Sequence, residues 1–203
     1  HIAEHIVETG YDLQNSANSL TGEMPSCGSY VSKIRGLSPV GIPAYVTLPD
    51  RRAYGGAHFL GGKHRYYPVN DDPSAANFTV KNLTLARNLD VARQEDRKTL
   101  LSDLDAERGA LEKQAAAETI DAITGQAFDL VTGEVARNAF DITIESDALR
   151  DRYGRIALGQ RMLLDRRLVE AGVPFVTVRT GGWDDHKDLV KRITPRAAEY
   201  DPA

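Results

Sequence analysis

A helical pattern followed by an apolar run and a glycine-rich polar loop constrains this chain more than any other feature. Four apolar side chains recur at helical spacing, and Gly172 is placed to end the helix; they are Leu158, Met162, Leu163 and Leu168. Residues 173–178 are short, apolar and β-rich, as expected of an interior parallel strand covered on both faces. The sequence therefore predicts an α/β fold in which this strand leads into the loop at 179–186.

The amino-terminal third contains weaker signals of the same kind. Residues 2–8 are typical of the end of a helix stopped by Gly10, and Ser26 is placed to cap a short helix ended by Gly36. Residues 43–49 form a β-branched and aromatic run between prolines, which predicts a strand of a buried sheet.

The middle of the chain divides into a loop and a helical segment. Residues 50–82 are rich in glycine and aspartate, and a loop of this length is usually functional or covers another element. Residues 83–150 have the spacing of amphipathic helices with a charged, solvated outer face. We interpret residues 1–203 as a single α/β domain with a helical insertion at 83–150.

The loop after the predicted strand contains the strongest candidate ligands. Asp184 and His186 offer a carboxylate oxygen and an imidazole nitrogen, and two residues apart in an extended segment they can converge on one divalent ion. Asp185 between them is expected either to orient His186 as a hydrogen-bond acceptor or to face solvent. The competing interpretation is that Asp184 and His186 are ordinary surface hydrogen-bonding groups.

Other side chains could contribute to a site. His5 lies on the first predicted helix as a further candidate metal ligand, although a lone helical histidine is more often structural. His58 and His64 lie in the glycine-rich loop and, like Trp183, could line a cleft; the alternative for both histidines is an exposed loop position. Cys27, the single cysteine, is expected to be a small packed residue, with a reactive thiol as the alternative.

Composition and missing motifs exclude several functions. A net charge of −4 argues against a general nucleic-acid-binding protein, which normally has a basic face. No apolar run approaches the roughly 20 residues that a membrane-spanning helix needs, so we predict no membrane span. The sequence contains no nucleophile-elbow, Walker or dinucleotide-binding motif and no two-histidine helical zinc motif.

Several of these segments together resemble a known family. The segments are 151–155 (DRYGR), Gly159–Gln160, 163–164, 166–173 (RRLVEAGV), 175–178 (FVTV), 182–184 (GWD) with His186, His5 with Thr9–Gly10, 25–29 (PSCGS), 43–46 (PAYV), and 71–75 (DDPSA) with Phe78 and Val80. They are similar to an uncharacterised bacterial sulfatase-like family, a domain of unknown function in the alkaline-phosphatase superfamily.

The resemblance implies a fold, a chemistry and a location. It implies a doubly wound parallel-sheet sandwich, export from the cell, and hydrolysis of phosphate or sulfate esters with a divalent metal (zinc, calcium, magnesium or manganese). Asp184 and His186 match the family's Trp-Asp-x-His pattern, and His5 matches a family histidine. Asp185 departs from the threonine expected between the ligands. The implied substrate is a small anionic ester or a sulfated or phosphorylated glycan.

In the superfamily, the acidic metal ligands and the nucleophile normally lie upstream of the position of His5, and a further Asp-His pair lies downstream of the Trp-Asp-x-His motif. Two functions therefore stay open. We expect the chain to be a central fragment of a longer protein, which would leave the site incomplete. The first function is a metal-dependent ester hydrolase. The second is a non-catalytic extracellular binding protein on the same fold.

Overall fold

A computed structural model describes residues 2–11, 24–36, 41–49, 56–80, 133–181 and 183–201. Numbered in order over these residues, the helices and strands are α1 (Ile2–Thr9), α2 (Cys27–Arg35), β1 (Tyr45–Leu48), β2 (Tyr67–Pro68), α3 (Glu134–Phe140), α4 (Asp147–Arg152), α5 (Ala157–Glu170), β3 (Phe175–Val178) and α6 (Leu189–Tyr200). Short 3₁₀ turns occur at His58–Leu60, Gly62–His64 and Ile142–Ile144.

The described strands form a small parallel sheet in the order β2-β1-β3. β1 pairs with β3 from Tyr45 opposite Phe175 to Leu48 opposite Val178. All four residues of β1 are buried, as the run between the two prolines predicted. The α/β class with a parallel sheet is therefore confirmed, whereas β2 lies inside the segment interpreted as a loop.

β3 is a parallel strand, as predicted, whereas its predicted interior position is not tested by the part of the sheet that the structure describes. In that sheet β1 is central and β3 lies at an edge, and the four side chains of β3 are only half-buried. An apolar sequence is compatible with both positions, because α5 and α2 both contact β3.

The two faces of the sheet pack against different helices. Val46 and Leu48 of β1 share an apolar cluster with Leu164 and Leu168 of α5. Side chains alternate along a strand, so Tyr45 faces the other way, toward α2. There a Cβ at Gly28 would lie 2.5 Å from the Tyr45 ring, so only glycine allows this contact.

The apolar core lies between the sheet and the carboxyl-terminal helices. Its buried members come from both halves of the chain and are Ile42, Val46, Leu48, Val69, Val80, Ala136, Ala139, Phe140, Ile142, Leu164, Leu168 and Val173. Of the residues that predicted α5, Leu163 and Leu168 are buried, whereas Leu158 and Met162 are half-buried. The core therefore confirms the helix–strand unit in which the sequence signal was strongest.

The start of α5 is fixed by a buried glutamine and a glycine. The Gln160 amide donates to the carbonyls of Arg150 and Gly154 at 3.0 and 2.7 Å and accepts from Arg150 Nε at 2.9 Å. A Cβ at Gly159 would lie 1.7 Å from the Tyr153 carbonyl oxygen. These contacts join the segments 151–155 and 159–160 in the structure.

The predicted helix ends are confirmed. Ser26 caps α2, its hydroxyl accepting from the Ser29 backbone N–H at 3.3 Å, and Gly36 with φ of 76° ends the helix. Gly10 and Gly172 follow α1 and α5 with φ of 74° and 94°. The prediction that Cys27 is packed is wrong: it begins α2 and is exposed, because the inward face of that helix carries Gly28, Ser29 and Ser32.

The segment interpreted as a helical insertion is described only from residue 133 onward. There α3, the turn at Ile142–Ile144 and the start of α4 are helical. Its remainder lies outside the described residues. No helix in the described ranges has the length and apolar character needed to cross a bilayer.

Candidate metal-binding loop

The candidate site lies directly after β3. The Arg179 backbone N–H donates to the Leu48 carbonyl at 2.9 Å, which continues the β1–β3 hydrogen bonding beyond the last strand residue. The chain then runs through Trp183, Asp184, Asp185 and His186 before α6 begins at Leu189. The loop therefore leaves the sheet at the carboxyl ends of its parallel strands, where ligands bind in open α/β folds.

Asp184 and His186 approach each other in this loop. His186 Nε2 lies 3.1 Å from Asp184 Oδ1, and the two side chains are 81% and 92% exposed. The predicted convergence of the two side chains is therefore present in the structure. Because solvent reaches both groups freely, the attraction between them alone contributes little to stability.

The separation of Asp184 Oδ1 and His186 Nε2 is suitable for two ligands of one cation, but two ligands do not complete its coordination. Two ligands at about 2.0–2.2 Å from one ion, at angles between octahedral and tetrahedral, lie about 3–3.5 Å apart, which includes the observed separation. The same distance also suits a direct hydrogen bond. Within the described residues, no group of three or more His, Cys, Asp or Glu side chains is placed to hold an ion. Asp184 and His186 are thus at most part of a ligand set.

Asp185 has neither of the two predicted roles. Its side chain is only 4% exposed, and its carboxylate pairs with Arg192 Nη1 at 3.4 Å and with Arg196 Nη1 of α6. The expectation that Asp185 faces solvent or orients His186 is therefore wrong. The physical reason is that two guanidinium groups of α6 lie within reach and offer charged hydrogen bonds to a buried carboxylate.

Trp183 contacts the same helix. Its ring meets that of Tyr200 edge to face, with centroids 6.1 Å apart, and 42% of the residue stays exposed. Arg192, Arg196 and Tyr200 are spaced four residues apart, so they line one face of α6. Trp183 and Asp185 thus turn toward the helix, and alternation along an extended segment turns Asp184 and His186 outward.

This arrangement, which we call the loop–helix clasp, consists of Trp183 and Asp185 with Arg192, Arg196 and Tyr200 of α6. The two arginines were missed in the sequence, although their spacing of four residues after an acidic loop was a usable signal. Asp185 was misassigned because it sits between two stronger candidates and only the tertiary structure brings α6 to it.

His5 lies elsewhere in the structure. It is almost fully buried on α1, and its carbonyl accepts from the Thr9 hydroxyl at 2.7 Å. The described residues do not group it with Asp184 and His186. A role for His5 as a third ligand therefore stays a prediction.

His58 and His64 differ from each other in their surroundings. His58 is exposed and has φ of 44° in its 3₁₀ turn. His64 is buried, and its Nδ1 forms a 3.2 Å hydrogen bond with the Ser32 hydroxyl of α2. Burial, with smaller contributions from Lys33 and Lys63, lowers the pKa of His64 from its ordinary value. The interpretation of His64 as an exposed loop residue is wrong, since α2 packs over its ring.

Comparisons with known proteins identify a family. No curated protein and no solved structure matches the chain significantly. The profile of the family described as "Protein of unknown function (DUF1501)" matches residues 1–203. The expected domain of unknown function is thereby supported, whereas its link to the alkaline-phosphatase superfamily stays a prediction. Because the match spans the whole sequence, the chain belongs to the DUF1501 family.

Proposed function

We propose that the protein is a metal-dependent hydrolase of phosphate or sulfate esters and that Asp184 and His186 contribute two of its metal ligands. The observation that supports this most directly is the 3.1 Å approach of Asp184 Oδ1 and His186 Nε2 in the loop that follows parallel strand β3. The loop–helix clasp adds support, because it holds the residue between the two donors and leaves both donors accessible.

A divalent ion bound there would neutralise charge on the ester oxygens and lower the pKa of a bound nucleophile. Asp184 would supply an anionic oxygen, which suits zinc, calcium, magnesium and manganese alike, and His186 a nitrogen donor, which favours zinc over calcium. The remaining ligands and the nucleophile would come from residues outside the described ranges. The clasp would fix the direction of both donors.

The resemblance carries three further parts of the proposal. The fold would extend to the doubly wound sandwich of the alkaline-phosphatase superfamily. The protein would be exported, and its substrate would be a small anionic ester or a sulfated or phosphorylated glycan. Each of these rests on the motif segments named above and on analogy with the fold of that superfamily.

One observation favours a second candidate, a non-catalytic binding protein on the same fold. Asp184 and His186 are each more than four-fifths exposed, whereas catalytic electrostatics are strongest where water is excluded. In that case the loop would present charged groups to an extracellular ligand without turning it over.

Hydrolysis of an aryl phosphate and an aryl sulfate by the purified protein tests the proposal. We expect activity that a chelator removes and a divalent metal restores. Asp184→Asn and His186→Gln should each lower the metal-dependent rate by about 100-fold or more, since loss of even an outer-shell partner costs 10–100-fold.

Asp188→Asn is the matched control. It removes the same charge from an exposed carboxylate of the same loop, and asparagine tolerates the left-handed backbone of Asp188, with φ of 51°. The control should keep the wild-type rate. Absence of metal-dependent hydrolysis with both esters, with the protein folded and metal-loaded, would favour the binding protein instead.

A further inference from the structure

Two stretches of the described chain contain basic residues and no acidic ones. Residues 24–36 carry Lys33 and Arg35, residues 56–70 carry Lys63 and Arg65, and neither stretch contains an aspartate or glutamate. The whole chain has 29 acidic residues among 203, whereas these two stretches contain none. We call the surface formed by these two stretches the cationic surface.

Direct contacts join the two stretches. The Ser26 backbone N–H and the Ser29 hydroxyl both donate to the Gly56 carbonyl, at 3.2 and 3.3 Å. At the other end of α2, Ser32 bonds His64 at 3.2 Å. The four cations therefore lie within three residues of one bonded pair. Lys33 and Lys63 both contribute to the lowered pKa of His64, so both cations act on the same imidazole.

The cations of this surface are exposed and lack acidic partners within the described residues. Lys33, Arg35, Lys63 and Arg65 are all exposed, and none forms an ion pair with a described carboxylate. Several arginines elsewhere do: Arg155 pairs with Asp147 and Arg166 with Glu170. The positive charge of the cationic surface is therefore not neutralised by the part of the protein that the structure describes.

Apolar side chains stand among these cations. Ile34, between Lys33 and Arg35, is 79% exposed, and Phe59 is 68% exposed. Phe59 meets Tyr30 edge to face, with centroids 6.5 Å apart, and Tyr30 lies one helical turn before Ile34. Large apolar side chains left in water next to unpaired cations are the combination found on surfaces that bind the membrane interface.

We propose that the cationic surface docks the protein onto an anionic lipid bilayer, with Ile34 and Phe59 entering the interface and the four cations facing lipid headgroups. Charge complementarity supplies the attraction, and each Lys or Arg near such a surface strengthens binding about fivefold. A soluble polyanion would use the cations but gain nothing from Ile34 and Phe59, so the bilayer explains both observations. The inference is independent of the proposed hydrolysis.

Vesicle co-sedimentation of the purified protein tests it. We expect binding to phosphatidylcholine vesicles with about a third phosphatidylglycerol, weakening with salt, and little binding to phosphatidylcholine alone. Lys33→Gln with Lys63→Gln should weaken binding about 25-fold, fivefold for each charge. Ile34→Ser with Phe59→Ser should also weaken vesicle binding, while leaving any binding to soluble polyphosphate unchanged.

Arg137→Gln with Arg152→Gln is the control, because it removes two exposed cations from α3 and α4 and should leave vesicle binding unchanged. Equal weakening by this control would overturn the proposal. So would binding that needs the lysines but not Ile34 and Phe59, which would assign the surface to a soluble polyanion. Absence of binding to anionic vesicles would overturn it as well.

Discussion

At the scale of single residues, His64 is a buried imidazole held in its neutral form. It bonds Ser32, and burial together with Lys33 and Lys63 lowers its pKa below the ordinary value of 6.5. The unfolded chain therefore binds a proton on His64 more readily than the folded protein does. The resulting stabilisation is fully present above pH 6.5 and is lost progressively as the pH falls below it.

We therefore predict that the free energy of unfolding decreases as the pH is lowered from about 7.5 to about 5.5, in part because of His64. His64→Gln should flatten this decrease, because glutamine can still bond Ser32 but takes up no proton. Urea unfolding of both proteins across this range measures the difference. An unchanged slope in the variant would remove His64 as a cause.

Gly159 shows a steric constraint at the same scale. A Cβ there would lie 1.7 Å from the Tyr153 carbonyl oxygen, a backbone atom that cannot move without shifting the start of α5. We predict that Gly159→Ala destabilises the protein by about 3 kcal/mol or more, as overpacking of a rigid site does. Gly181→Ala, whose Cβ meets nothing within 4 Å, should be close to neutral. Thermal denaturation of the two variants compares them, and similar melting temperatures would contradict the prediction.

At the scale of elements, the loop–helix clasp determines how the candidate ligands are presented. None of the residues of α6 is buried, although the helix contacts α5. A helix of 12 residues is marginal by itself in water. Its ion pairs to Asp185 and the contact of Tyr200 with Trp183 are therefore the main contacts that can hold it against the loop.

We predict that Asp185→Asn weakens the clasp by about 1–3 kcal/mol, less than a fully buried pair because both arginines are partly exposed. Amide hydrogen exchange in 189–200 should become faster, while exchange in β1 should not change. Asp188→Asn, an exposed control of equal charge, should leave exchange in α6 unaltered. Equal protection of α6 in both variants would show that other contacts hold the helix.

Across the whole molecule, local sequence signals predicted the helices and strands better than they predicted which of these elements contact each other. Ser26 and Gly36 mark the two ends of α2. The leucines of α5 and the apolar run at 175–178 can likewise be recognised within a short stretch of sequence. The position of β3 at an edge of the described sheet, the two-residue strand β2 and the burial of Asp185 depend on contacts between distant segments. The local sequence of β3 is equally compatible with an interior strand, that of β2 with a loop, and that around Asp185 with an exposed carboxylate.

In the candidate site, too, the sequence predicted the local feature and not the contacts with a distant element. Asp184 and His186 were found because a ligand pair after a strand is a local pattern, and the structure brings their donor atoms to 3.1 Å. The arginines that hold the residue between them lie on α6, and no local pattern in the loop refers to that helix.

Calorimetric metal titration of the protein measures whether Asp184 and His186 bind a common divalent cation. We expect Asp184→Asn and His186→Gln each to weaken the binding of one metal equivalent by about tenfold or more, whereas Asp188→Asn should bind like the wild type. Unchanged affinity in both Asp184→Asn and His186→Gln would exclude the pair from a metal site and leave it a surface hydrogen bond.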